Sequence, residues 1–318
     1  MSDAFTFPGQ GSQQVGMGAE LASSFVGARA VFDEIDDALD QKLSELMWNG
    51  PEDALTLTEN AQPALMAVSL AVMRVLESEA GVSIAENAKF VAGHSLGEYS
   101  ALAASGALRV ADTARLLRTR GQAMQAAVPV GEGAMAALLG AELDDVKKLA
   151  EAAADGEVCA AANDNAPGQV VISGSVGAIG RAIEMASDYG ARRAVLLPVS
   201  APFHCALMQP VAEAMKEALS NVAIAVPAAP LIANATAQEV TDPEAIRGLL
   251  VEQVTGVVRW RETIGFMVEQ GIGRVIEIGA GRILTGLARR IERSLDAISV
   301  GTPNDVNAFR EASGASEN

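Results

Sequence analysis

The stretch Lys89-Phe90-Val91-Ala92-Gly93-His94-Ser95-Leu96-Gly97-Glu98-Tyr99-Ser100-Ala101-Leu102-Ala103-Ala104 changes character halfway along. Its first four residues are short and mostly apolar, with β-formers at the centre, and read as a strand. From Glu98 to Gly106 the residues suit a helix. Between the two lies Gly93-x-Ser95-x-Gly97. A serine between two glycines on a sharp strand-to-helix turn is pushed outward at the helix N-terminus, and the glycines let strand and helix approach. A protein presents a serine to a carbonyl in this way. The same pattern also fits a glycine-rich βα loop whose serine only caps the helix.

Working outward, strands and helices alternate. Ala4 to Phe7 reads as a first strand, followed by the loop Pro8-Gly9-Gln10-Gly11-Ser12-Gln13. Helical patterns run from about Ala19 to Asp40, Gln62 to Ala80 and Val110 to Ala127. After Gly131 the texture changes. Strand candidates Ala134–Leu139, Val158–Ala162, Gln169–Ser173 and Arg193–Val199 are interleaved with helices Asp144–Ala154 and Ala178–Tyr189. Asn163 to Gly168 reads as the turn between the middle two strands. The order βαββαβ is the ferredoxin-like pattern. It marks a small inserted domain over about residues 130–199, within a larger one made of 1–129 and 200–318.

The larger domain resumes with a strand at Leu231–Ala235, helices at Pro243–Val254 and Glu262–Gln270, and a strand at Arg274–Ile278. A basic helix, Ile283–Arg293, and a last strand, Ala297–Val300, complete it. The alternation implies an α/β fold with a parallel sheet covered on both faces. The polar tail, Arg310 to Asn318, is expected to fray.

Composition removes several classes of function. The 318 residues carry a net charge of −17, unsuited to a nucleic-acid backbone or an anionic membrane. Half the residues are hydrophobic and 4% aromatic, so alanine, valine and leucine must build the core. Cys159 and Cys205 lie far apart, outside any Cys-x-x-Cys pattern, which fits a reducing cytosol without thiolate metal sites. The N-terminus has no signal-peptide pattern. The most apolar run, Ala64 to Met73, is too short to span a bilayer. A soluble cytoplasmic protein is expected. Neither Gly9-Gln10-Gly11-Ser12-Gln13-Gln14 nor Gly279-Ala280-Gly281-Arg282-Ile283-Leu284 completes a dinucleotide fingerprint, and there is no P-loop.

Two histidines occur, His94 and His204. If Ser95 is activated by imidazole, the base is one of them. Adjacent side chains at a sharp turn diverge, which leaves His94 poorly placed. His204 follows Val199-Ser200-Ala201-Pro202-Phe203, where the chain re-enters the large domain, and domain boundaries form clefts. Taken alone, His204 also fits a hydrogen-bonded loop histidine. Arg120, mid-helix, also fits a solvated face.

Phe7-Pro8-Gly9-Gln10-Gly11-Ser12-Gln13, Gly93 through Tyr99, Arg120-Gly121-Gln122-Ala123-Met124, Asn163 through Gly168, Phe203-His204 and Gly279-Ala280-Gly281 occur in this order. Together they resemble the malonyl-CoA:acyl carrier protein transacylases of fatty-acid synthesis, from about Ala4 to Val300. The resemblance implies an α/β-hydrolase-like core with a ferredoxin-like subdomain. It implies Ser95 as the acyl-carrying nucleophile, His204 as its base and no cofactor. The oxyanion hole would be the backbone N–H groups of Leu96 and Gln10; the Leu96 donor also follows from the elbow itself. A backbone carbonyl near Gln253 would hold the imidazole, in place of a carboxylate. His94 would support the loop or line the pocket.

On the same resemblance, Arg120 would grip the free carboxylate of malonate through two parallel hydrogen bonds. A guanidinium facing an acetyl group has no partner, and an unsatisfied charged donor costs about 2 kcal/mol or more. Phe203 and Leu96 resemble the malonyl-selective members, since a bulky ring would crowd an α-methyl branch. Met124, one turn beyond Arg120, is expected in the same pocket or in ordinary core packing. The implied partners are malonyl-CoA and the phosphopantetheine arm of acyl carrier protein. Carrier proteins are acidic, so docking on this acidic chain needs a local basic patch. Arg289 and Arg290, with Arg282 and Arg293, offer one; a solvated basic face is the other reading. Three competing functions stay open: a serine hydrolase or thioesterase, a trans-acting acyltransferase of a polyketide synthase, and a non-catalytic docking module.

Overall fold

The structure, a computed structural model, describes residues 2–199 and 201–312. Among the described residues ten strands form two sheets: β1 Ser2–Phe7, β2 Ala88–Gly93, β3 Gly133–Leu139, β4 Cys159–Ala166, β5 Gln169–Ser175, β6 Arg193–Leu196, β7 Leu231–Ile232, β8 Glu239–Val240, β9 Ile272–Ile278 and β10 Asp296–Val300. The first sheet has the order β10-β9-β1-β2-β7-β8. Its strands run parallel from β10 to β7, and only β8 is antiparallel. Helices cover both faces, so central strands bury both sides. Ala4, Phe5, Thr6 and Phe7 are all buried, so the second half of β1 is covered on both faces without alternation.

The second sheet has the order β4-β5-β3-β6 and is wholly antiparallel. Helices Leu143–Ala154 and Val176–Met185 pack on it through Val146, Leu149 and Ile179, against Leu138 and Ile172. The expected βαββαβ order is thus present, on strands that all fall within residues 133–196.

Several elements differ from the sequence reading, each for a local reason. The Ala19–Asp40 helix is broken at Phe25, whose extended backbone separates Ala19–Ser24 from Val26–Leu39. The supposed turn Asn163–Gly168 is mostly strand: β4 runs on to Ala166, leaving Pro167-Gly168 as the turn. Backbone pairing across to the other unit sustains this extension. The Asp164 N–H donates to the Val258 carbonyl, and the Val258 N–H donates to the Ala162 carbonyl, each at 2.9 Å. The 193–199 and 231–235 strands stop early, at Leu196 and Ile232. Gln209–Ser220 is a helix that the sequence reading passed over; it buries Val211, Met215 and Leu219. Helix Pro303–Ala312 extends into the supposedly frayed tail, whose remainder, 313–318, lies outside the described residues. Among the described residues no helix is long and apolar enough to cross a membrane.

A side-chain tie reinforces the seam between the sheets. Arg261, on helix Trp260–Glu269, contacts Asp164 and Glu142 of the small-sheet unit, each at 2.9 Å. Asp164 is fully buried, so its carboxylate depends on this partner. Arg261→Ala is expected to lower stability by about 2–3 kcal/mol, read from the urea midpoint, because it orphans a buried charge.

Candidate active site

Ser95 sits at the carboxyl end of β2 with φ 54°, a left-handed backbone rarely adopted by a non-glycine residue. The surrounding glycines make this turn sterically feasible. A Cβ on Gly93 would lie 1.9 Å from the Gly97 carbonyl, and one on Gly97 would lie 2.2 Å from the Phe7 carbonyl oxygen. Helix Gly97–Ala104 leaves directly from the elbow. Asn234, just past β7, clamps the turn. Its Oδ1 accepts from the Ser95 N–H at 2.8 Å, and its Nδ2 donates to the Gly93 carbonyl at 2.7 Å.

His204 reaches the serine from the connection between the units. Its Nε2 is 2.8 Å from Ser95 Oγ, and its Nδ1 is 2.9 Å from the Gln253 main-chain oxygen. A carbonyl oxygen only accepts, so Nδ1 carries the proton and Nε2 offers its lone pair to the hydroxyl. Burial, reinforced by the nearby Arg120 charge, pushes the His204 pKa down to about 3. The imidazole is therefore neutral near pH 7 and ready to take a proton. His204 also has a left-handed backbone, φ 59°.

Arg120 lies on the inner face of helix Val110–Ala127 and is 1% exposed. Gly121 beside it permits the close approach of helix Thr58–Ala80; a Cβ there would lie 2.5 Å from Glu59 Cα. The guanidinium donates to Gln62 Oε1 at 2.9 Å, Gln253 Oε1 at 2.8 Å and Ser95 Oγ at 3.1 Å. All three acceptors are uncharged, and no ion pair to Arg120 is found among the described residues. Burial lowers its pKa, opposed by Tyr99 and Glu98.

The expected residues converge on one cavity of about 550 Å³, which Gln10, His94, Ser95, Leu96, Arg120, Met124, Phe203 and His204 all line. Gln253 stands behind it, fully buried, and reaches Ser95, Arg120 and His204 at once. His94 points away from the serine hydroxyl: its Nε2 is 2.8 Å from Asn165 Oδ1 at the end of β4. Burial lowers its pKa, partly offset by that hydrogen bond. His94 thus fastens the elbow to the small sheet. Met124 serves both expected purposes, facing the cavity and receiving the Gln62 Nε2 at 3.4 Å from its sulfur.

Arg289 and Arg290 are not brought to this cavity. They occupy the last turn of helix Ile283–Ile291, which runs back from the carboxyl end of β9. Arg289 donates to the carbonyl of Ala297, near the start of β10. Arg290 donates to Gln169 at 3.1 Å. Arg282 pairs with Asp305 at 3.6 Å.

Four residues of the site went unassigned in the sequence: Asn234, Gln62, Asn165 and Glu98. Asn234 follows an apolar run at the carboxyl end of a parallel strand, where α/β sheets place their ligands, and that position was a usable signal. Gln62 opens an apolar helical run and carries no such mark.

A serine hydroxyl on an elbow, joined to a neutral imidazole and a buried cation, is an arrangement suited to acyl transfer. The comparisons agree with this class. The acyl transferase domain model matches residues 4–304, and the chain belongs to that family. It is 44% identical over 304 residues to the malonyl CoA-acyl carrier protein transacylase of Bacillus subtilis, covering 95% of this chain and 94% of the relative. It also superposes on the acyl-carrier-protein-S-malonyltransferase of Bartonella henselae with a TM-score of 0.96, at 58% identity over 99% of this chain and 100% of the other. A second similar structure is a malonyl-transacylase in complex with a type II polyketide acyl-carrier protein. It has a TM-score of 0.94 and 40% identity, covering 98% and 100% of the two chains.

The clamp and the base each carry a test. Asn234→Ala removes both of its side-chain hydrogen bonds to the elbow and is expected to cut the rate of Ser95 acylation by roughly 10- to 100-fold, measured by stopped-flow. The depressed His204 pKa keeps the base neutral, so acylation by an uncharged ester such as p-nitrophenyl acetate is expected to stay flat from about pH 8 to about pH 5. It should fall only as pH drops toward about 3. A drop centred near 6.5 would show an imidazole with an ordinary pKa.

Proposed function

We propose that this chain is an acyl-carrier-protein S-malonyltransferase of fatty-acid synthesis. It moves malonyl from malonyl-CoA to the phosphopantetheine thiol of acyl carrier protein through a malonyl-Ser95 ester. The observation that carries the malonyl assignment is the buried guanidinium 3.1 Å from the nucleophile, held only by neutral oxygens. One methylene separates the acyl carbon of malonate from its carboxylate. An arginine touching the nucleophile is therefore within reach of that carboxylate when the thioester is under attack. A bidentate pair there repays the burial of the cation.

In the first half-reaction, His204 Nε2 takes the Ser95 proton as Oγ attacks the thioester carbonyl. The Gln253 carbonyl holds the imidazolium that forms. The amides of Leu96 and Gln10 stabilise the oxyanion, and among the described residues neither is spent on a main-chain bond. CoA departs with the proton from His204. In the second half, His204 takes the proton of the carrier thiol, which attacks the ester carbonyl, and Ser95 Oγ leaves with that proton returned from His204. The order is ping-pong.

The fold reading goes with this. We take residues 1–129 and 200–318 as an α/β-hydrolase-like unit and 130–199 as a ferredoxin-like insertion. The strand orders of the two sheets support it. A cytoplasmic setting belongs to the same proposal. Hydrolysis is the competing chemistry, and it does not account for a guanidinium placed against the nucleophile. A polyketide carrier as acceptor is the second reading, favoured by the similar complex with such a carrier. Loading two purified carriers, one from each pathway, separates the two.

Intact-mass measurement after exposure to malonyl-CoA, acetyl-CoA or methylmalonyl-CoA tests the whole. A malonyl adduct on Ser95 is expected, with acetyl and methylmalonyl adducts at least about tenfold slower. Arg120→Ala should lose malonyl loading by roughly 100-fold while acetyl loading falls much less. Equal loading of acetyl and malonyl by the wild type would overturn the malonyl assignment. Arg289 and Arg290 are the proposed docking patch for the acidic carrier. With both exchanged for glutamate, KM for the carrier is expected to rise about tenfold. An unchanged KM would overturn their docking role.

A further inference from the structure

Among the described residues Glu98 is the one carboxylate hydrogen-bonded into this site, and the acyl-transfer steps make no use of it. It stands in the first turn of the helix after the elbow and is 1% exposed. Its Oε2 accepts from Gln253 Nε2 at 2.6 Å and from the Asn234 N–H at 3.4 Å. Its Oε1 has no donor among the described residues. The same Gln253 amide presents Oε1 to Arg120 at 2.8 Å. Carboxylate, amide and guanidinium thus form one chain of hydrogen bonds, with the amide polarised between a negative and a positive end. If the amide turned over, its NH2 would face the guanidinium, donor against donor, so Glu98 also sets which way Gln253 points.

The charge count of the buried cluster is the second observation. Arg120 is its cation. His204 is neutral, and Tyr99, on Glu98's own helix, is held neutral with its pKa pushed up to about 12, chiefly by burial. Without substrate the cluster can hold Arg120 and ionised Glu98 in balance. A substrate carboxylate on Arg120 would make it net negative, and an unbalanced buried charge costs several kcal/mol.

We propose that Glu98 is the internal counter-charge of Arg120, relayed through the Gln253 amide, and that a carboxylate arriving on Arg120 takes over this role while Glu98 gains a proton. The proton comes from solvent buffer and goes to Oε1, the oxygen with no donor to lose. Oε2 keeps its bond from Gln253, so the amide still presents its oxygen to Arg120. No covalent bond changes other than O–H. Glu98 is poised for this exchange near neutrality: burial raises its pKa to about 7, against the lowering effects of Gln253, Asn234 and Arg120. Glu98 is therefore a specificity-tuning residue that sees the acyl carboxylate only through others.

The sign follows from linkage. Binding that takes up a proton weakens as pH rises above the pKa of the free group. The inference rests on malonyl transfer at Ser95, and acetyl-CoA, which shares the CoA moiety but lacks the carboxylate, is the control. Initial rates of acyl-Ser95 formation are measured with subsaturating malonyl-CoA and acetyl-CoA. In the wild type the malonyl-to-acetyl ratio is expected to fall about tenfold from about pH 6.5 to about pH 8.5. In Glu98→Gln the ratio should be flat, and higher than the wild type's at the upper pH. A wild-type ratio independent of pH, or the same slope in Glu98→Gln, overturns the handover.

If Glu98→Gln does not fold, calorimetry on Ser95→Ala decides the matter. Malonyl-CoA is titrated near pH 8 in two buffers of different ionisation enthalpy, with acetyl-CoA as reference. Net proton uptake specific to malonyl-CoA supports the handover, and zero uptake overturns it. A missing malonyl adduct on Ser95 at every pH would overturn the proposed function itself. An adduct whose ratio ignores pH would overturn only this inference.

Discussion

A guanidinium removed from water without a carboxylate in contact is the constraint around which this molecule is organised. Placing Arg120 in the interior is costly unless its donors are met; three neutral oxygens from three separate elements meet its two terminal nitrogens, and among the described residues its Nε has no partner. Gln62 comes from the neighbouring helix, Ser95 from the elbow and Gln253 from just beyond helix Pro243–Glu252. The elements that assemble the nucleophile are thus the same ones that solvate the cation. Local arrangement and substrate choice cannot be separated here. A shift of the Gln253 segment would disturb the base, the cation and the serine backbone together.

The parallel sheet explains why these groups can meet. Strands β1, β2, β7 and β9 deliver their following loops to one edge, and the loop after β2 is the elbow. Gly93 and Gly97 leave no room for a side chain, so β1, β2 and the departing helix touch through backbone. That contact fixes Ser95 to the most buried part of the chain. The small sheet closes the cleft from the side, held by main-chain pairing at Val258, by Arg261 and by the His94–Asn165 bond. An elbow built on the core and a wall fastened in three ways leave little slack around the nucleophile.

Much of this was legible in the sequence. The strand-to-helix turn was, because a glycine-serine-glycine stretch lies between an apolar run and a helical run; whether its serine is presented or only caps the helix was left open by that pattern. The pairing of Ser95 with His204 was, because two histidines left little choice. The role of the Gln253 carbonyl and the inward aim of Arg120 came only with the family resemblance. A main-chain acceptor leaves no trace in residue identity, and an arginine in a helix does not say which face it takes. Asn163 to Gly168 misled for a related reason. Its composition is that of a turn, yet backbone pairing with a segment far away in sequence holds most of it as strand. The clamp by Asn234 and the link through Glu98 are tertiary, and no local pattern announces them.

The imidazole of His204 is oriented by a peptide carbonyl at residue 253 rather than by a side chain. A peptide carbonyl is present whatever amino acid occupies the position. Its supply cannot be deleted by a single codon change, only displaced. Within this site genetic drift therefore has a small target for that function. An orienting aspartate would be exposed to every substitution at its codon, whereas here the orienter persists as long as the local backbone keeps its course. The vulnerability moves from the chemistry of one side chain to the folding of the segment that carries the carbonyl.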